Sequence, residues 1–441
     1  MTKTDYKPPF CVGEWLPSDH QVLEIWLGNL IDHVDQNPKP FHPVITDFQN
    51  LIETDPEVFM LFHLMFTQVP DKPPYNKDPD GKPQVRDYMH MLKLFNEIMT
   101  RGSEYNDTEL VGFPINAILN WPMATTAGFA AFQNDKVNAQ LKNVLSAWGK
   151  FLDSKESLAV LIREPENDQS WLGNKALAKM STAALGPDDP DGFAKIFQCD
   201  PNDKHFGFTS WDNFFTREFR DGQRPIADPD DNSIVTNACE SAPFNMVQNV
   251  QRRDRFWIKG QPYSIQHMLD NDPLVDQFVG GTVYQAFLNA VSFHRWNCPV
   301  DGTILKVKHV DGTYYSETLV NSFAGGDPDI GGPNESQGYL AEMATRALIF
   351  IEADNEDIGL MCVMPIGMAE VSSCEVTVYE GQHVKKGDQL GMFHFGGSTH
   401  CLIFGPHVNI EFDFHGMTPG IDAPHNIPVN AKIAKVGPRK S

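Results

Sequence analysis

A serine that follows two glycines is the residue of this sequence best suited to unusual backbone chemistry. The segment Gly396-Gly397-Ser398-Thr399 follows a short β-rich run. Glycine permits backbone dihedral angles that other residues avoid, and backbone strain favours attack of a hydroxyl on the carbonyl that precedes it. In that reaction the Ser398 oxygen attacks the Gly397 carbonyl, and the peptide bond becomes an ester. Elimination and hydrolysis would then cleave the chain between Gly397 and Ser398 and leave a pyruvoyl group at position 398.

The same residues, taken alone, fit two other interpretations. A Gly-Gly-Ser sequence is most often a turn. The preceding residues 380–391, EGQHVKKGDQLG, would also fit a lipoyl- or biotinyl-type hairpin, although no modifiable lysine stands at the hairpin tip in the expected context. Residues elsewhere in the chain must therefore decide between cleavage, a turn and a carrier hairpin.

Composition limits the partners of the chain. The 441 residues include 35 Lys and Arg against 58 Asp and Glu, a formal net charge of -23. Such a surface repels nucleic acid and anionic lipid headgroups. The N-terminus lacks the apolar core of a signal peptide, and no stretch of about 18 apolar residues occurs. We therefore expect a cytoplasmic protein that binds a small amino acid, and neither nucleic acid nor a membrane.

Cysteines and histidines give no metal-site pattern. The seven cysteines are scattered without a CxxC pair, which favours reduced thiols. His383, His394, His400 and His407 suggest a metal site, but no cysteine or carboxylate stands at zinc-like spacing. Strand alternation should also place His394 and its flanking phenylalanines on opposite faces. The sequence therefore predicts no metal.

Two textures along the chain predict an α+β fold. Apolar residues recur at helical spacing in the first part of the chain, whereas β-rich runs broken by Gly, Asp and Asn dominate after about residue 225. We predict a helical N-terminal domain over 1–185 and a mainly β catalytic domain over 200–441, with a surface loop at 322–339. The clearest helices are predicted at 22–34, 85–99 and 137–152, and the clearest strands at 302–310, 347–353, 358–367, 374–380 and 390–395.

Four segments in order carry a family resemblance across roughly residues 205–405. They are FTSWDNFFTREFRDGQRPI (208–226), FWIKGQPYSIQHML (256–269), SFHRWNCPVDGTI (292–304) and the run from IGMAEV to GGST that ends at residue 399. Together they resemble the phosphatidylserine decarboxylase family. The helical domain, NACES (237–241), FIEADNEDIGL (350–360) and MFHFGGS (392–398) are similar to its fungal branch of pyruvoyl-dependent aromatic amino acid decarboxylases, the L-tryptophan decarboxylases.

The resemblance implies roles for particular residues. Ser398 would be both the nucleophile of autocatalytic cleavage and the source of a covalent pyruvoyl cofactor, so that the chain is a zymogen whose two cleaved chains stay associated and which needs no pyridoxal phosphate. The pyruvoyl carbonyl would accept the substrate amine as a Schiff base and take up the electrons released with CO2. His294 would return a proton after CO2 is lost. Glu240 stands where the family has an aspartate that orients this histidine.

One position departs from the family. The resemblance places a second histidine, a general base for cleavage, at position 297, where this sequence has Asn297. An amide can orient a group by hydrogen bonds but does not accept a proton at neutral pH.

From the resemblance as a whole we predict a decarboxylase of a free aromatic amino acid, tryptophan first. The alternatives are a phosphatidylserine decarboxylase and an uncleaved, non-catalytic binding protein; the chain would be a monomer or a small homo-oligomer.

Overall fold

The first part of the chain folds into helices, as its apolar spacing predicts. The computed structural model describes residues 21–71, 84–105, 113–184, 192–255, 262–319, 336–370, 372–395, 398–420, 423 and 425–440. We call residues 21–183 the helical region. Its helices are α1 (Gln21–Gln36), α2 (Pro43–Thr54), α3 (Pro56–Thr67), α4 (Tyr88–Ile98), α5 (Pro114–Met123), α6 (Thr126–Gln133), α7 (Asp135–Leu152) and α8 (Asn174–Ala183).

Local sequence fixes where several of these helices begin. Asp55 accepts hydrogen bonds from the backbone N–H groups of Glu57 and Val58 at the start of α3, and Pro56 occupies the first helical position. Asn134 caps α7 in the same way. α7 then buries one apolar stripe that includes Trp148, so the amphipathic pattern determines which side of the helix faces the core.

A stretch of turns with two short helices connects this region to the sheets. It contains α9 (Gly192–Ile196) and α10 (Trp211–Phe215). We call residues 208–226 the aromatic segment, because its tryptophan and phenylalanines are largely buried. Short helices α11 (Ile265–Met268) and α12 (Gln337–Met343) lie among the strands.

Three antiparallel sheets make up the second part, which we call the sheet region (residues 234–437). The largest has seven strands in the order β2-β3-β11-β7-β6-β5-β9; the two smaller sheets have the orders β1-β13-β12 and β4-β10-β8. The strands are β1 (Ile234–Thr236), β2 (Ala242–Gln248), β3 (Thr282–Leu288), β4 (Arg295–Asn297), β5 (Gly302–Val310), β6 (Arg346–Ala353), β7 (Leu360–Gly367), β8 (Ser373–Val376), β9 (His383–Val384), β10 (Gln389–His394), β11 (Ser398–Phe404), β12 (Asn409–Phe412) and β13 (Lys432–Gly437).

The α+β prediction is confirmed, with one local correction. The predicted surface loop 322–339 lies outside the described residues up to 335. From there Ser336 is buried and α12 begins at Gln337, whose side chain is also buried. The loop prediction is therefore wrong for its last residues, because Gln337 points into a buried polar network that only the folded sheet brings together.

Candidate functional site

Ser398 lies at the start of β11, an interior strand of the large sheet. β11 pairs with β3 on one side and β7 on the other, and Ser398 stands opposite Leu288 and Gly367. Its side chain is fully buried, and its Oγ has no hydrogen-bond partner among the described residues. Buried hydroxyls are normally paired. This one is held in place by the strand ladder while its oxygen stays uncommitted; Gly397, the other half of the predicted cleavage site, lies outside the described residues.

The neighbouring threonine fixes the strand on its opposite face. Thr399 Oγ1 donates to the Ala286 carbonyl oxygen at 3.0 Å and accepts from Gln285 Nε2 at 3.1 Å. Gln285 in turn accepts a hydrogen bond from the Tyr263 hydroxyl. Because successive residues of a strand face opposite sides, these bonds anchor the backbone at residue 399 and leave the Ser398 side free of them.

An aromatic cluster holds Phe395, three residues before the serine and the last described residue ahead of it. Phe395 has a positive φ of 47°, a conformation that a bulky residue adopts only when its surroundings impose it. Its ring lies 4.6 Å from Trp148, 4.5 Å from Trp211, 6.0 Å from Phe215 and 6.1 Å from Phe113, measured between centroids. Packing from the helical region and the aromatic segment therefore fixes the position of Phe395.

His294 is brought to the same end of the molecule. Its imidazole is fully buried and stacks on Phe215, with ring centroids 4.2 Å apart and an interplanar angle of 24°. The His294 carbonyl accepts a hydrogen bond from the Phe393 backbone N–H at 2.9 Å. Since Phe215 also contacts Phe395, one ring connects the predicted proton donor to the segment that leads into Ser398.

Arg217 of the aromatic segment holds the backbone just ahead of His294. Its Nη2 donates to the carbonyl oxygens of Val291 and Ser292, the latter at 3.0 Å. Burial lowers the pKa of this guanidinium to about 9, so it remains charged at neutral pH. Arg217 is thus a positioning residue, and the sequence alone assigned it no role. The available signal was its place in the quoted segment 208–226, within FFTREF.

Glu240 is buried and held by an arginine. Arg224 donates to both carboxylate oxygens, through Nε at 2.9 Å and through Nη2, and the Val429 backbone N–H donates to one of them at 2.8 Å. A carboxylate this deeply buried needs such partners. The partner that the structure gives Glu240 is thus Arg224, and its predicted role in orienting His294 stays a prediction.

Asn297 has a structural partner of its own. Its Nδ2 donates to Asn430 Oδ1 at 3.0 Å, and its backbone N–H donates to the Ala238 carbonyl at 2.8 Å. The amide side chain suits this contact, because it offers a donor where Asn430 offers an acceptor. Position 297 therefore joins the NACES segment to the C-terminal part of the chain.

A buried glutamate that sequence reasoning missed lies on the edge of the same site. Glu370 follows β7 by three residues, and its Oε1 accepts from the backbone N–H groups of Ile115 at 2.7 Å and Asn116 at 2.8 Å, at the start of α5. Its Oε2 has no partner among the described residues. Burial raises the pKa of this carboxyl to about 8. The only sequence signal was an acidic residue just after an apolar strand.

The histidines considered for a metal have other partners. His394 bonds Asp212 at 3.0 Å and Glu375 at 2.7 Å, His383 pairs with Asp354, and His407 contacts the Ile358 carbonyl. Burial works against the charge on His394, but the hydrogen bonds and charges of Asp212 and then Glu375 raise its pKa to about 9. No group of at least three metal-ligating side chains occurs in the part of the chain that the structure describes.

The structure also shows which faces Phe393 and His394 occupy and what surrounds His400. Phe393 is fully buried beside Trp296, whereas His394 is partly exposed, as alternation predicts. Phe395 lies past the end of β10. His400 is fully buried, with neither ring nitrogen paired within the described residues, and burial lowers its pKa to about 3.

Two family models match the chain in order. Both carry the description phosphatidylserine decarboxylase; one matches residues 42–180 and the other residues 211–418. The first therefore falls within the helical region, and the second includes the aromatic segment and most of the sheet region, up to Ser398 and beyond.

Three relatives show the range of similarity. L-tryptophan decarboxylase of Psilocybe cubensis is 38% identical over 400 residues, 88% of this chain and 87% of that protein. Decarboxylase iboD of Amanita muscaria is 42% identical over 318 residues, 68% of this chain and 86% of that protein. Phosphatidylserine decarboxylase proenzyme 3 of Schizosaccharomyces pombe is 29% identical over 224 residues, 50% of this chain and 22% of that protein. Similarity to the first extends through both regions.

Proposed function

The chain belongs to the phosphatidylserine decarboxylase family and is a carboxy-lyase, and we propose that it cleaves itself at Gly397–Ser398 and decarboxylates a free aromatic L-amino acid, tryptophan first. The observation that carries this proposal is the fully buried Ser398 hydroxyl at the start of β11, which has no hydrogen-bond partner within the described ranges. The likeness to L-tryptophan decarboxylases through both regions supports the substrate class.

The atoms of the cleavage reaction come from Ser398, the preceding carbonyl and water, and a base takes up the Ser398 α-proton. The Ser398 Oγ attacks the Gly397 carbonyl carbon, the C–N bond breaks and the amine takes the hydroxyl proton. Loss of the Ser398 α-proton and of the Gly397 carboxylate then leaves a dehydroalanine, which tautomerises to an imine. Water hydrolyses the imine to ammonia and a pyruvoyl group. The free Oγ and the anchored Thr399 backbone favour the first step.

The residues around Ser398 suit the group that forms there. When present, the pyruvoyl carbonyl binds the substrate amine and accepts the electron pair released with CO2. His294, buried against Phe215, is the proposed proton donor to the substrate carbon. Glu240 is proposed as a positioning residue that acts through its charge and its bonds to Arg224 and Val429.

The two cleaved chains are proposed to stay associated. The smaller chain, residues 398–441, would contain β11, β12 and β13. β11 is hydrogen-bonded to β3 and β7 along its whole length, and removal of a central strand would expose two strand edges. Dissociation would therefore cost most of the stability of the large sheet.

The proposed substrate is supported by the net charge of the chain as well as by its similarity to other proteins. A net charge of -23 disfavours an anionic lipid surface, and we propose that the reaction takes place in the cytoplasm. None of the described helices is long and apolar enough to span a bilayer. The family model and the similarity to phosphatidylserine decarboxylases favour phosphatidylserine as the second candidate substrate.

Electrophoresis and product assays test the proposal. Wild-type protein should separate into chains of residues 1–397 and 398–441, Ser398→Ala should stay intact, and Ser181→Ala should cleave as wild type does. Ser181 is the matched control because it is a fully buried serine of the helical region, bonded to the Leu177 carbonyl.

Cleaved enzyme should release amine and CO2 from tryptophan without added pyridoxal phosphate, and hydroxylamine should inactivate it. Turnover of phosphatidylserine vesicles with none of tryptophan, phenylalanine or tyrosine would establish the second candidate instead. A chain that stays uncut and inactive toward both substrate classes would refute both.

A further inference from the structure

Four buried polar atoms without partners cluster where the helical region meets the sheet region. They are Asn116 Oδ1, Asn120 Nδ2, the Tyr315 hydroxyl and Glu370 Oε2, each unpaired within the described residues. The exposed fractions of these side chains' residues are 2%, 5%, 1% and 4%. Buried polar atoms are normally satisfied, so several in one place indicate a site for a ligand's polar group.

Contacts place these four groups around the first two turns of α5. Asn116 and Asn120 are four residues apart and therefore share one side of the helix. Glu370 Oε1 is fixed by the backbone N–H groups of Ile115 and Asn116. The Ala369 backbone N–H donates to the Tyr314 carbonyl at 3.1 Å, so the next residues along each segment, Glu370 and Tyr315, are brought close together. Burial and then the charge of Glu370 raise the pKa of Tyr315.

Two separate connections lead from this cluster to Ser398. Gly367, which pairs with Ser398 across β7 and β11, precedes Glu370 by three residues. Phe395 precedes Ser398 by three residues, and its ring packs on Phe113, the residue directly before α5. The start of α5 is thus held from both sides by chain segments that lead to the serine.

The surroundings of the cluster are apolar and aromatic. Phe113, Trp148 and Phe395 are buried with their rings in contact. Burial raises the pKa of Glu370 to about 8, so its carboxyl is largely uncharged at neutral pH. Aromatic walls with a few fixed polar groups are typical of a small-molecule site.

We propose that the first two turns of α5, with Asn116, Asn120, Tyr315 and Glu370, form the part of the substrate site that recognises a ring N–H. This inference rests on the proposed amino acid decarboxylase function and assigns the helical region a direct part in specificity. Asn116 Oδ1 is the neutral acceptor for an indole N–H, which has a hydrogen to donate and no acceptor. A phenyl ring would leave that oxygen unpaired.

Substrate pairs within one enzyme preparation test this assignment. Tryptophan, 1-methyltryptophan, which lacks the ring N–H, and phenylalanine are compared by kcat/KM. Wild type should prefer tryptophan to 1-methyltryptophan by about tenfold or more, the value of a hydrogen bond made to a buried group. Asn116→Leu should abolish that preference, measured as the ratio of kcat/KM for tryptophan to kcat/KM for 1-methyltryptophan.

Asn96→Leu is the matched control, since Asn96 is a buried asparagine of the helical region whose side chain bonds the His42 N–H and the Pro40 carbonyl. It should keep the wild-type preference. The ratio of two substrates does not depend on the fraction of enzyme that folds, and Glu370→Gln provides a second variant that retains the Oε1 acceptor.

The outcomes separate the two proposals. An active wild type whose preference is absent, or is unchanged in both Asn116→Leu and Glu370→Gln, would overturn this inference alone. A cleaved wild type that turns over none of the aromatic amino acids would overturn the proposed function and this inference with it.

Discussion

The helical region and the sheet region hold the two sides of the cleavage point in different ways. After the cut, Ser398 and Thr399 are fixed by backbone ladders to β3 and β7. Before the cut, Phe395 is fixed by side-chain packing, and it belongs to the same hydrophobic cluster as the core of the helical region. The helical region therefore helps to fix Phe395, three residues before the predicted cleavage point.

Each region contributes a phenylalanine to the hydrophobic cluster of the other. Phe113 of the helical region belongs to the hydrophobic cluster of the large sheet, while Phe395 from the sheet region lies in the other cluster. The comparison shows that side-chain packing fixes Phe395, whereas the strand ladder fixes the Ser398 backbone. Changes on the two sides should accordingly have different consequences.

The largest effect is expected from removal of the helical region's contact with Phe395. Trp148→Ala should lower the free energy of unfolding by about 3–5 kcal/mol, because it deletes a buried indole. It should also slow self-cleavage of the protein that remains folded. Chemical denaturation and timed electrophoresis give both values.

Phe48→Ala is the control for Trp148→Ala. Phe48 is fully buried and packs on Phe62, within the helical region. It should cost a similar free energy and leave cleavage of the folded protein unchanged. Equal slowing of cleavage by both variants would show that general destabilisation, and not the contact with Phe395, explains the effect.

We call His394 with its partners Asp212 and Glu375 the His394 clamp. It should make the free energy of unfolding depend on pH. The folded pKa of about 9 lies above the unfolded value of about 6.5, so the stabilisation is complete below pH 6.5 and is lost as pH rises through 9. His394→Gln should lower the free energy of unfolding by about 3–4 kcal/mol at pH 6, at about 1.4 kcal/mol per pKa unit, and by little at pH 10. Denaturation across this range measures it.

His383→Gln provides the comparison, since His383 forms an exposed pair with Asp354. An exposed pair contributes less than about 1 kcal/mol. A cost for His394→Gln that is the same at pH 6 and pH 10 would rule out the charged clamp.

Glu240 tests the contacts of the segment that follows the predicted cleavage point, because it accepts a hydrogen bond from the Val429 backbone N–H. Glu240→Gln should lower the free energy of unfolding by about 1.5–3 kcal/mol, since hydrogen bonds to a charged group are weakened while Arg224 stays largely buried. Glu240→Asp retains the charge and should cost less. Equal stability of wild type and Glu240→Gln would mean that the ion pair with Arg224 contributes nothing net.

The smallest effect is expected at Asn297. Asn297→Ala removes one hydrogen bond to Asn430 and should cost about 0.5–1.5 kcal/mol. The rate of self-cleavage should be unchanged, because the amide is committed to that bond. A marked slowing of cleavage in the folded variant would instead assign Asn297 a part in processing.

Much of the fold could be predicted because its signals are local. Helical spacing at 137–152 and the β-rich run at 302–310 correspond closely to α7 and to β5. Lys386-Gly387-Asp388, a set of turn-favouring residues, forms a turn between β9 and β10 with Gly387 at a φ of 88°. Periodicity and turn residues depend on neighbours in the sequence, so they are visible without the fold.

The rest of the site depends on contacts far apart in the sequence. Glu370 meets the N–H groups of α5 across more than 250 positions, and Glu240 meets Val429 across 189. Neither partner can be inferred from spacing. The quoted segments indicated that Ser398 and His294 matter, whereas the packing that joins them through Phe215 required the three-dimensional structure.

Trapping of substrate on the smaller chain tests the central claim most directly. Cleaved enzyme is incubated with tryptophan and borohydride, and the intact mass of each chain is measured. We predict that the chain of residues 398–441 has a pyruvoyl terminus before reduction and gains one covalently bound amine afterwards. Active enzyme with an uncut chain and an ordinary serine at position 398 would contradict the account.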